Sequence, residues 1–407
     1  MLLPAVRHTA ALLALVVLIA CGGGDDTDPA SPGGGAPATT SEAVAFQIDA
    51  GHSGIANEPT PTFPLSPAWQ RTFGGAVSYP LIAGGKVFVI VVDASFNGRP
   101  QLVAIDQITG LDAWPAIPIG NAFTAAHAYD QGRIFIIGSD SILRSFDAAT
   151  GAPRWSTLLS FVQSTPPVAR DGKVYVTSGN TVYAVDGHSG AILWTVSTAS
   201  QTSPSLSTTG VLLTSACQVF SLLQSTGAER WRVSSSTPCN GGAPGTVAYS
   251  AGHAYVRDFD FTTFRPTLVE RDAETGALLG SANLFGPGFG ALPIPAVSTD
   301  AAYVLNGGTL QRFDPSLQTV SWSFAGDGSL ASAPLVIDRV VLIGSGNGRL
   351  YALDVVTGAE RWSTLVPAAI EAPLESGFPI VSGMAAANGI LVVPAGRTLN
   401  TWRLSPP

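Results

Sequence analysis

Charged residues are scarce in this chain of 407 residues. Asp, Glu, Lys and Arg together make up only 12% of it, and the 28 acidic residues outnumber the 20 basic ones, which gives a net charge of −8. The Lys and Arg residues form no cluster or stripe. Because proteins that bind nucleic acid neutralise phosphates with such clusters, the sequence argues against a nucleic-acid partner.

Patterns typical of helices and metal sites are scarce as well. No long run rich in Glu, Lys and Leu occurs, and the five histidines have no spacing that resembles a metal site, so we expect no metal. Glycine and proline, by contrast, reach 45 and 30 residues, and 46% of the chain is hydrophobic. This composition is typical of many short strands joined by tight turns.

Residues 1–20 are predicted to be a lipoprotein signal peptide. Arg7 precedes the apolar run Ala10–Ala20, which is shorter than the about 20 residues that span a bilayer. The run ends at Cys21 in a pattern that resembles a bacterial lipobox, so we expect Cys21 to be lipidated and to anchor the chain. The alternative is an ordinary secretory signal with a chance cysteine.

Residues 21–44 are predicted to be the lipidated cysteine and a flexible tether. They consist almost entirely of Gly, Pro, Ser, Thr, Ala and Asp, which cannot bury a core. Gly22, and not Asp, follows the cysteine, which favours sorting to the outer membrane.

Two cysteines remain, Cys217 and Cys239. An exported protein folds in an oxidising compartment, and we therefore predict a disulfide between them. Two free thiols or a metal-binding pair are the alternatives.

The chain repeats one unit of about 40 residues from residue 69 to 404. Its clearest copy consists of the segments Thr165–Val168, Asp171–Val176 and Thr181–Asp186, a turn at Ser189-Gly190, and Trp194. The β-branched segments predict short strands, the Asp-x-x-Thr-Gly step predicts a tight turn, and the tryptophan predicts burial between neighbouring sheets.

The tryptophan and the turn glycine recur through the chain. The tryptophans are Trp69, Trp114, Trp155, Trp194, Trp231, Trp322 and Trp362. The turn glycines are Gly110, Gly151, Gly190, Gly227, Gly276 and Gly358. Two copies have lost part of the pattern, because Gly280 replaces one tryptophan and Ser316-Leu317 replaces one Thr-Gly step. We call these two sites the worn positions.

The repeats predict an all-β fold, an eight-bladed β-propeller of four-stranded antiparallel blades that spans residues 45–407. The last set of strands, up to Leu404, has no tryptophan strand of its own, whereas the segment around Trp69 has no inner strands. We therefore expect the strand near Trp69 to join the last blade and close the ring.

The repeated Ala-x-Asp-x-x-Thr-Gly-x-x-x-Trp pattern resembles the PQQ-like, quinoprotein-type propeller repeat, over about 335 residues. The opening Ala50–Gly54 also resembles the lead-in of exported members. This family includes quinoprotein dehydrogenases, and it includes lipoproteins similar to BamB, a subunit of the outer-membrane β-barrel assembly machinery, which bind protein and no cofactor.

The resemblance implies different sites for the two groups. Quinoprotein dehydrogenases hold the quinone beside adjacent cysteines and a stacking tryptophan, with a metal ion on acidic and amide side chains. No adjacent cysteines occur here, and no catalytic residue of that group maps onto the chain. We therefore expect neither a catalytic site nor a cofactor. BamB-type proteins carry an Asp-x-Asp-Thr-Thr-Pro loop, and Thr165-Pro166 lacks its Asp pair.

Two stretches that depart from the repeat are the candidates for partner binding. They lengthen a hairpin of the fifth blade and the connection into the sixth, and exposed Phe beside charge is typical of a binding rim. The candidate residues are Phe259, Phe261, Phe264, Arg265, Phe285 and Phe289. Loops that pack only on themselves are the alternative.

The expected function is that of a non-catalytic, monomeric scaffold in the cell envelope. It would be lipid-anchored to the outer membrane with the propeller in the periplasm, and would bind an envelope protein, with a BamB-like role in outer-membrane protein assembly as the named option. The alternatives are a PQQ-dependent dehydrogenase and a propeller that binds a small ligand or glycan.

Overall fold

The computed structural model describes residues 41–93, 98–160, 165–200, 202–215, 218–234, 245–260, 265–285, 293–373 and 382–405, with the backbone alone at 259 and 260. Within these ranges all regular structure is β-strand. None of the described residues forms a helix that is long and apolar enough to cross a membrane.

The strands form eight sheets that follow one another along the chain. Two strands precede the first complete sheet: β1 (Ile55–Ala56) and β2 (Ser66–Thr72). Blade 1 contains β3 (Gly75–Val77), β4 (Leu81–Ala83), β5 (Lys86–Asp93), β6 (Arg99–Asp106) and β7 (Asp112–Pro118). Blade 2 contains β8 (Ala125–Asp130), β9 (Arg133–Gly138), β10 (Ile142–Asp147) and β11 (Pro153–Leu158). Blade 3 contains β12 (Val168–Arg170), β13 (Lys173–Ser178), β14 (Thr181–Asp186) and β15 (Ile192–Ser197). Blade 4 contains β16 (Ser205–Leu206), β17 (Gly210–Ser215), β18 (Gln218–Leu223) and β19 (Glu229–Ser234).

The remaining four blades have the same order. Blade 5 contains β20 (Ala248–Ser250), β21 (His253–Asp260), β22 (Arg265–Asp272) and β23 (Leu278–Asn283). Blade 6 contains β24 (Ala296–Val297), β25 (Ala302–Asn306), β26 (Thr309–Phe313) and β27 (Val320–Phe324). Blade 7 contains β28 (Leu335–Ile337), β29 (Val340–Gly344), β30 (Arg349–Asp354) and β31 (Glu360–Leu365), and blade 8 contains β32 (Ala385–Ala387), β33 (Ile390–Ala395) and β34 (Thr398–Arg403).

The eighth blade takes its outer strand from the other end of the chain. Strand β2 pairs antiparallel with β34, with Pro67 opposite Trp402 and Thr72 opposite Thr398. The Trp69 amide donates to the Thr401 hydroxyl at 2.9 Å. The prediction of an eight-bladed propeller closed by the strand near Trp69 is confirmed.

Burial decreases from the axis of the ring to its rim. The second strand of blade 3, β13, is buried at every position after Lys173, whereas the outer strand β15 alternates between exposed and half-buried residues. This pattern is expected where the inner strands are covered on both faces and the outer strand borders solvent.

The two ends of the ring differ in what they carry. We call the turn face the end with the turn after the first strand and the turn after the third strand of each blade, such as Gly84-Gly85 and Asp106–Gly110. We call the connection face the opposite end, with the links between blades, such as Ile119–Thr124.

The turn after the third strand is held by its aspartate. In blade 2, Oδ1 of Asp147 accepts the amide of Thr150 at 2.9 Å and its hydroxyl at 2.8 Å. Arg154 and Thr150 bond the same carboxylate and lower the pKa of Asp147 to about 2. Gly151 closes the turn at φ +75°, a conformation that side chains resist.

Each of six blade-to-blade seams is made by a tryptophan and a glycine. The Trp155 indole N–H donates to the carbonyl of Gly187 in the next blade at 3.0 Å. Its ring lies so close to Gly190 that a Cβ there would be 2.7 Å from it. The six pairs are Trp69–Gly110, Trp114–Gly151, Trp155–Gly190, Trp194–Gly227, Trp231–Gly276 and Trp322–Gly358.

The seam between blades 5 and 6 is built differently. Gly280 takes the tryptophan position, and a Cβ there would lie 2.3 Å from the carbonyl oxygen of Ser316. Glu270, directly opposite Gly280 in the sheet, is buried, with its carboxylate 2.6 Å from Nδ1 of His253. The two worn positions of the repeat therefore meet at one seam.

Candidate functional site

Residues 41–58, which we call the lead-in segment, run around the axis on the turn face. Ser41 begins beside blade 8, where its hydroxyl accepts the amide of Asn388 at 2.9 Å. Glu58 ends beside the same blade, where its carboxylate accepts the amide of Gly389 at 2.9 Å. The contacts between these two residues visit the other blades in ring order, so the segment makes one circuit.

The circuit is made by one backbone bond that recurs at the equivalent position of most blades. In six blades the first strand donates an amide to a lead-in carbonyl, at 2.7–2.9 Å. The six bonds are Ile82 to Ala43, Tyr129 to Val44, Leu206 to Ala50, Tyr249 to Gly51, Val297 to Ser53 and Val336 to Gly54. The axis of the ring is therefore closed on this side by the chain itself.

Blade 3 is passed without this bond. Ala169 holds the equivalent position, opposite Val174 in the sheet, yet within the described residues its amide makes no bond with the lead-in segment. At this point the lead-in segment forms a hydrogen bond within itself, from the Val44 amide to the Ile48 carbonyl at 2.7 Å. Gln47 and Ile48 adopt positive φ values in this turn.

Below the circuit the axis is filled by aromatic and imidazole rings. Phe46 lies 5.5 Å from Tyr79, and Tyr79 stacks on His127 at 4.7 Å between ring centroids. Burial lowers the pKa of His127 to about 4, so this imidazole is neutral at pH 7. His52 is fully buried, with Nδ1 2.7 Å from the carbonyl of Phe46 and Nε2 2.9 Å from that of Pro204.

A cavity of about 620 Å³ opens on the turn face between the lead-in segment and blades 2 to 6, and its wall includes the gap at blade 3. Its wall includes the strand residues Ala169 and Arg170, the rings of Tyr129 and Tyr249, and the carboxylates of Glu42, Asp49 and Asp130. The cavity therefore combines aromatic surface, an excess of carboxylates and the backbone of one inner strand.

The carboxylates of the cavity differ in the hydrogen bonds that they accept. Asp49 accepts the amides of Gly51 at 2.8 Å and Ser53 at 3.1 Å, which fixes the lead-in segment. Asp130 accepts the amide of Gly172 through Oδ2 at 2.7 Å. Burial raises the pKa of Asp130 and of Glu42, and the charge of Asp130 adds to the increase at Glu42. A cation between these two groups would relieve that cost.

Two of the predicted partner-binding residues, Arg265 and Phe285, lie on the connection face of blades 5 and 6. Arg265 lies over the ring of Phe285 at 5.9 Å, and Phe285 is 63% exposed. The Phe285 amide donates to the side chain of Asn306, which fixes the backbone below the ring. Phe261, Phe264 and Phe289 lie outside the described residues, as does the side chain of Phe259.

The predicted covalent sites lie outside the described residues as well. These are the lipidation site Cys21 and the disulfide pair Cys217 and Cys239. Both remain predictions.

The side chains that the structure describes do not fit the quinone site that the family resemblance implies. The six seam tryptophans pack on glycines of neighbouring blades, and the axis on the turn-face side is filled by Phe46 and His52. No group of three or more His, Cys, Asp or Glu residues that could hold a metal ion occurs among the described residues.

The comparison with protein families identifies the fold family. A family model described as outer membrane protein assembly factor BamB matches residues 99–225 and 215–377, more than half of the chain. The chain belongs to this PQQ-like β-propeller family. No curated protein matches its sequence.

Solved structures of BamB-like propellers and of quinoprotein enzymes share the fold. BamB from Moraxella catarrhalis is similar at 17% identity and a TM-score of 0.61, over 83% of this chain and 97% of that one. Quinohemoprotein alcohol dehydrogenase from Comamonas testosteroni is similar at 14% identity and a TM-score of 0.68, over 89% and 80%. At these identities the likeness shows the fold alone.

The sequence pattern did not predict the circuit of the lead-in segment. Its bonds run from backbone to backbone, so they leave no pattern of side-chain types. The one available signal is the run of small residues, since Gly54 approaches Ala296 so closely that a Cβ would lie 2.8 Å away.

Proposed function

We propose that this protein is a non-catalytic lipoprotein of the cell envelope that binds another envelope protein through its connection face. In this proposal residues 1–20 are the signal peptide, Cys21 carries the lipid, and the tether places the propeller in the periplasm at the outer membrane. A BamB-like role in outer-membrane protein assembly is the named function, and the BamB-like family supports it.

The observation that carries this proposal is the pair formed by Phe285 and Arg265. Phe285 is 63% exposed on the connection face and lies beside the Arg265 guanidinium, so an aromatic ring and a cation are both available to a partner. Aromatic and arginine side chains also dominate the binding energy of protein interfaces. The bond from the Phe285 amide to the Asn306 side chain fixes the backbone that carries the ring, so less backbone order is lost when a partner binds.

The proposal is tested by crosslinking in cells that express the full-length chain. A photoreactive phenylalanine analogue replaces Phe285 in one strain and Leu278 in a control strain. Leu278 is 61% exposed on the outer strand of the same blade, so the two probes match in accessibility but differ in face. We expect capture of β-barrel assembly subunits from position 285 and not from position 278.

Other outcomes separate the parts of the proposal. Reproducible capture of a different envelope protein from position 285 alone would keep the scaffold and reject the BamB-like role. Equal capture from both positions would reject the connection face as the binding surface. Reduction of a dye by the purified chain with added quinone and calcium would reject the non-catalytic assignment.

A further inference from the structure

We propose that the cavity on the turn face at blade 3 binds an extended peptide with a basic side chain, contributed by another protein. This site lies on the opposite face from Phe285, and its existence does not depend on the lipid anchor or on the partner of the connection face.

The equivalent amides of six other blades show which chemical group the Ala169 amide would bind. Six of the eight first strands use the same amide to bind a peptide carbonyl, at 2.7–2.9 Å. Ala169 pairs with Val174 in the register that the other six share, so its amide is directed away from its own sheet. A buried amide that lacks a carbonyl partner costs free energy, and a peptide backbone supplies that partner.

The lead-in segment cannot fill this position without losing its own turn. Its carbonyl at Ile48 already accepts the Val44 amide, and Asp49 is fixed by the amides of Gly51 and Ser53. The segment is therefore committed on both sides of the gap, which forms part of the wall of the cavity of about 620 Å³. That volume lies in the range of about 300–1,000 Å³ that is usual for ligand sites in proteins.

The charge of the wall selects a basic side chain. Glu42 and Asp130 both line the cavity, Asp130 half-buried and Glu42 exposed, and the Asp130 charge acts on Glu42. Arg170, the basic group of the wall, donates to the Ser207 carbonyl and lies 3.9 Å from Asp171, which partly offsets its charge. A Lys or Arg side chain between the two carboxylates would form charge-assisted hydrogen bonds.

The chain's own tether has the wrong charge for this site. Residues 22–40 contain Asp25, Asp26 and Asp28 and no basic residue. The carboxylates of the cavity would repel them. We therefore assign the peptide to another molecule.

The test uses the mature chain, from Cys21 onward, in detergent micelles. The probe is a fluorescein-labelled peptide, Gly-Ala-Lys-Ala-Gly, with a Glu-containing version as its control. Fluorescence polarisation measures the affinity. Nuclear magnetic resonance of ¹⁵N-alanine-labelled protein follows the Ala169 amide, which is identified by its loss in Ala169→Gly.

We expect saturable binding of the Lys peptide and a shift of the Ala169 resonance. The double variant Glu42→Gln, Asp130→Asn should weaken binding at least about tenfold, since it removes both charges but keeps an acceptor for Gly172. Glu360→Gln is the matched control, because Glu360 is exposed on the outer strand of blade 7. It should bind like the unchanged chain.

Three results would overturn the proposal. The first is an Ala169 resonance that does not move at millimolar peptide. The second is equal affinity for the Lys and Glu peptides or for the double variant. The third is a shift with an oligosaccharide, chitohexaose, and none with the peptide, which would assign the cavity to glycans. Crosslinking at Phe285 is unaffected by all three, so the two proposals fail separately.

Discussion

The six tryptophan–glycine seams and the seam between blades 5 and 6 solve one packing problem in two ways. At Trp155 the gap between blades is filled by an indole, and the next blade provides a glycine to make room for it. At Gly280 the outer strand has no side chain, and the turn at Ser316 moves onto its backbone. The space inside the sheet is then occupied by Glu270 and His253.

This difference shows that the two worn positions compensate for each other. A tryptophan at position 280 would collide with the Ser316 carbonyl, and the turn of blade 6, which lacks glycine, has no ring to accommodate. Leu317 adopts φ +60° in that turn and is buried, so an apolar side chain there replaces part of the lost contact area. Relative to the six tryptophan–glycine seams, the seam between blades 5 and 6 therefore differs on both of its surfaces, one on each blade.

The largest effect is expected where the indole is removed. Trp155→Ala should lower the free energy of unfolding by about 3–5 kcal/mol, because it leaves a cavity and an unpaired carbonyl at Gly187. Urea denaturation followed by circular dichroism measures it. Leu279→Ala, beside Gly280 on an outer strand, should cost less than about 0.5 kcal/mol as an exposed position. Equal losses in the two variants would mean that the indole does not hold the seam.

A smaller effect is expected where a methyl group enters a tryptophan seam. Gly190→Ala should cost about 2–4 kcal/mol, since positive φ contributes about 1–2 kcal/mol and the collision with Trp155 adds about 1–2 kcal/mol. Gly132→Ala is the matched control, because Gly132 has nearly the same φ, +75° against +76°, and nothing within 4 Å. The difference between the two variants, measured by urea denaturation, isolates the seam.

The same substitution sharpens the comparison at the irregular seam. Gly280 has no positive φ, so Gly280→Ala tests the collision with Ser316 alone and should cost about 1–3 kcal/mol. A neutral Gly280→Ala would show that the two blades are not in close contact there.

The smallest effect is expected from acid. Because the folded pKa of Asp147 is lowered to about 2, its stabilising contribution is complete above the unfolded value of about 3.9 and is lost as the pH falls toward 2. Asp147→Asn should therefore reduce the drop in melting temperature between pH 5 and pH 2.5. Asp314→Asn, in the irregular turn, should reduce it less, because among the described residues Asp314 has no ion pair. The reverse order in calorimetry would contradict this.

The sequence predicted the ring because each blade repeats its own local signals. The strands, the turn aspartate and the tryptophan recur at fixed distances, and the unpaired segment at Trp69 predicted the closure with the last blade. The worn positions were visible as well, at Gly280 and at Ser316-Leu317. That they meet was not, since contact across a seam depends on how one blade sits on the next.

The candidate sites were predictable only in part. Phe285 and Arg265 departed from the repeat and could be found from their residue types. The cavity at blade 3 could not, because the bond that is missing at Ala169 is a backbone bond, and a missing backbone bond has no sequence pattern. Glu42 was assigned to the tether, whereas in the structure it lines the cavity with Asp130.

The circuit of the lead-in segment has a mechanical consequence. A pull on the N-terminal end first reaches Ser41 at blade 8, and then a series of single backbone bonds on blades 1, 2, 4, 5, 6 and 7 before it arrives at strand β2. These bonds must break one after another before the force reaches the outer strand that closes the ring. A propeller that is pulled at its N-terminal end would therefore keep its outer strands in place under forces that break the single bonds near its axis.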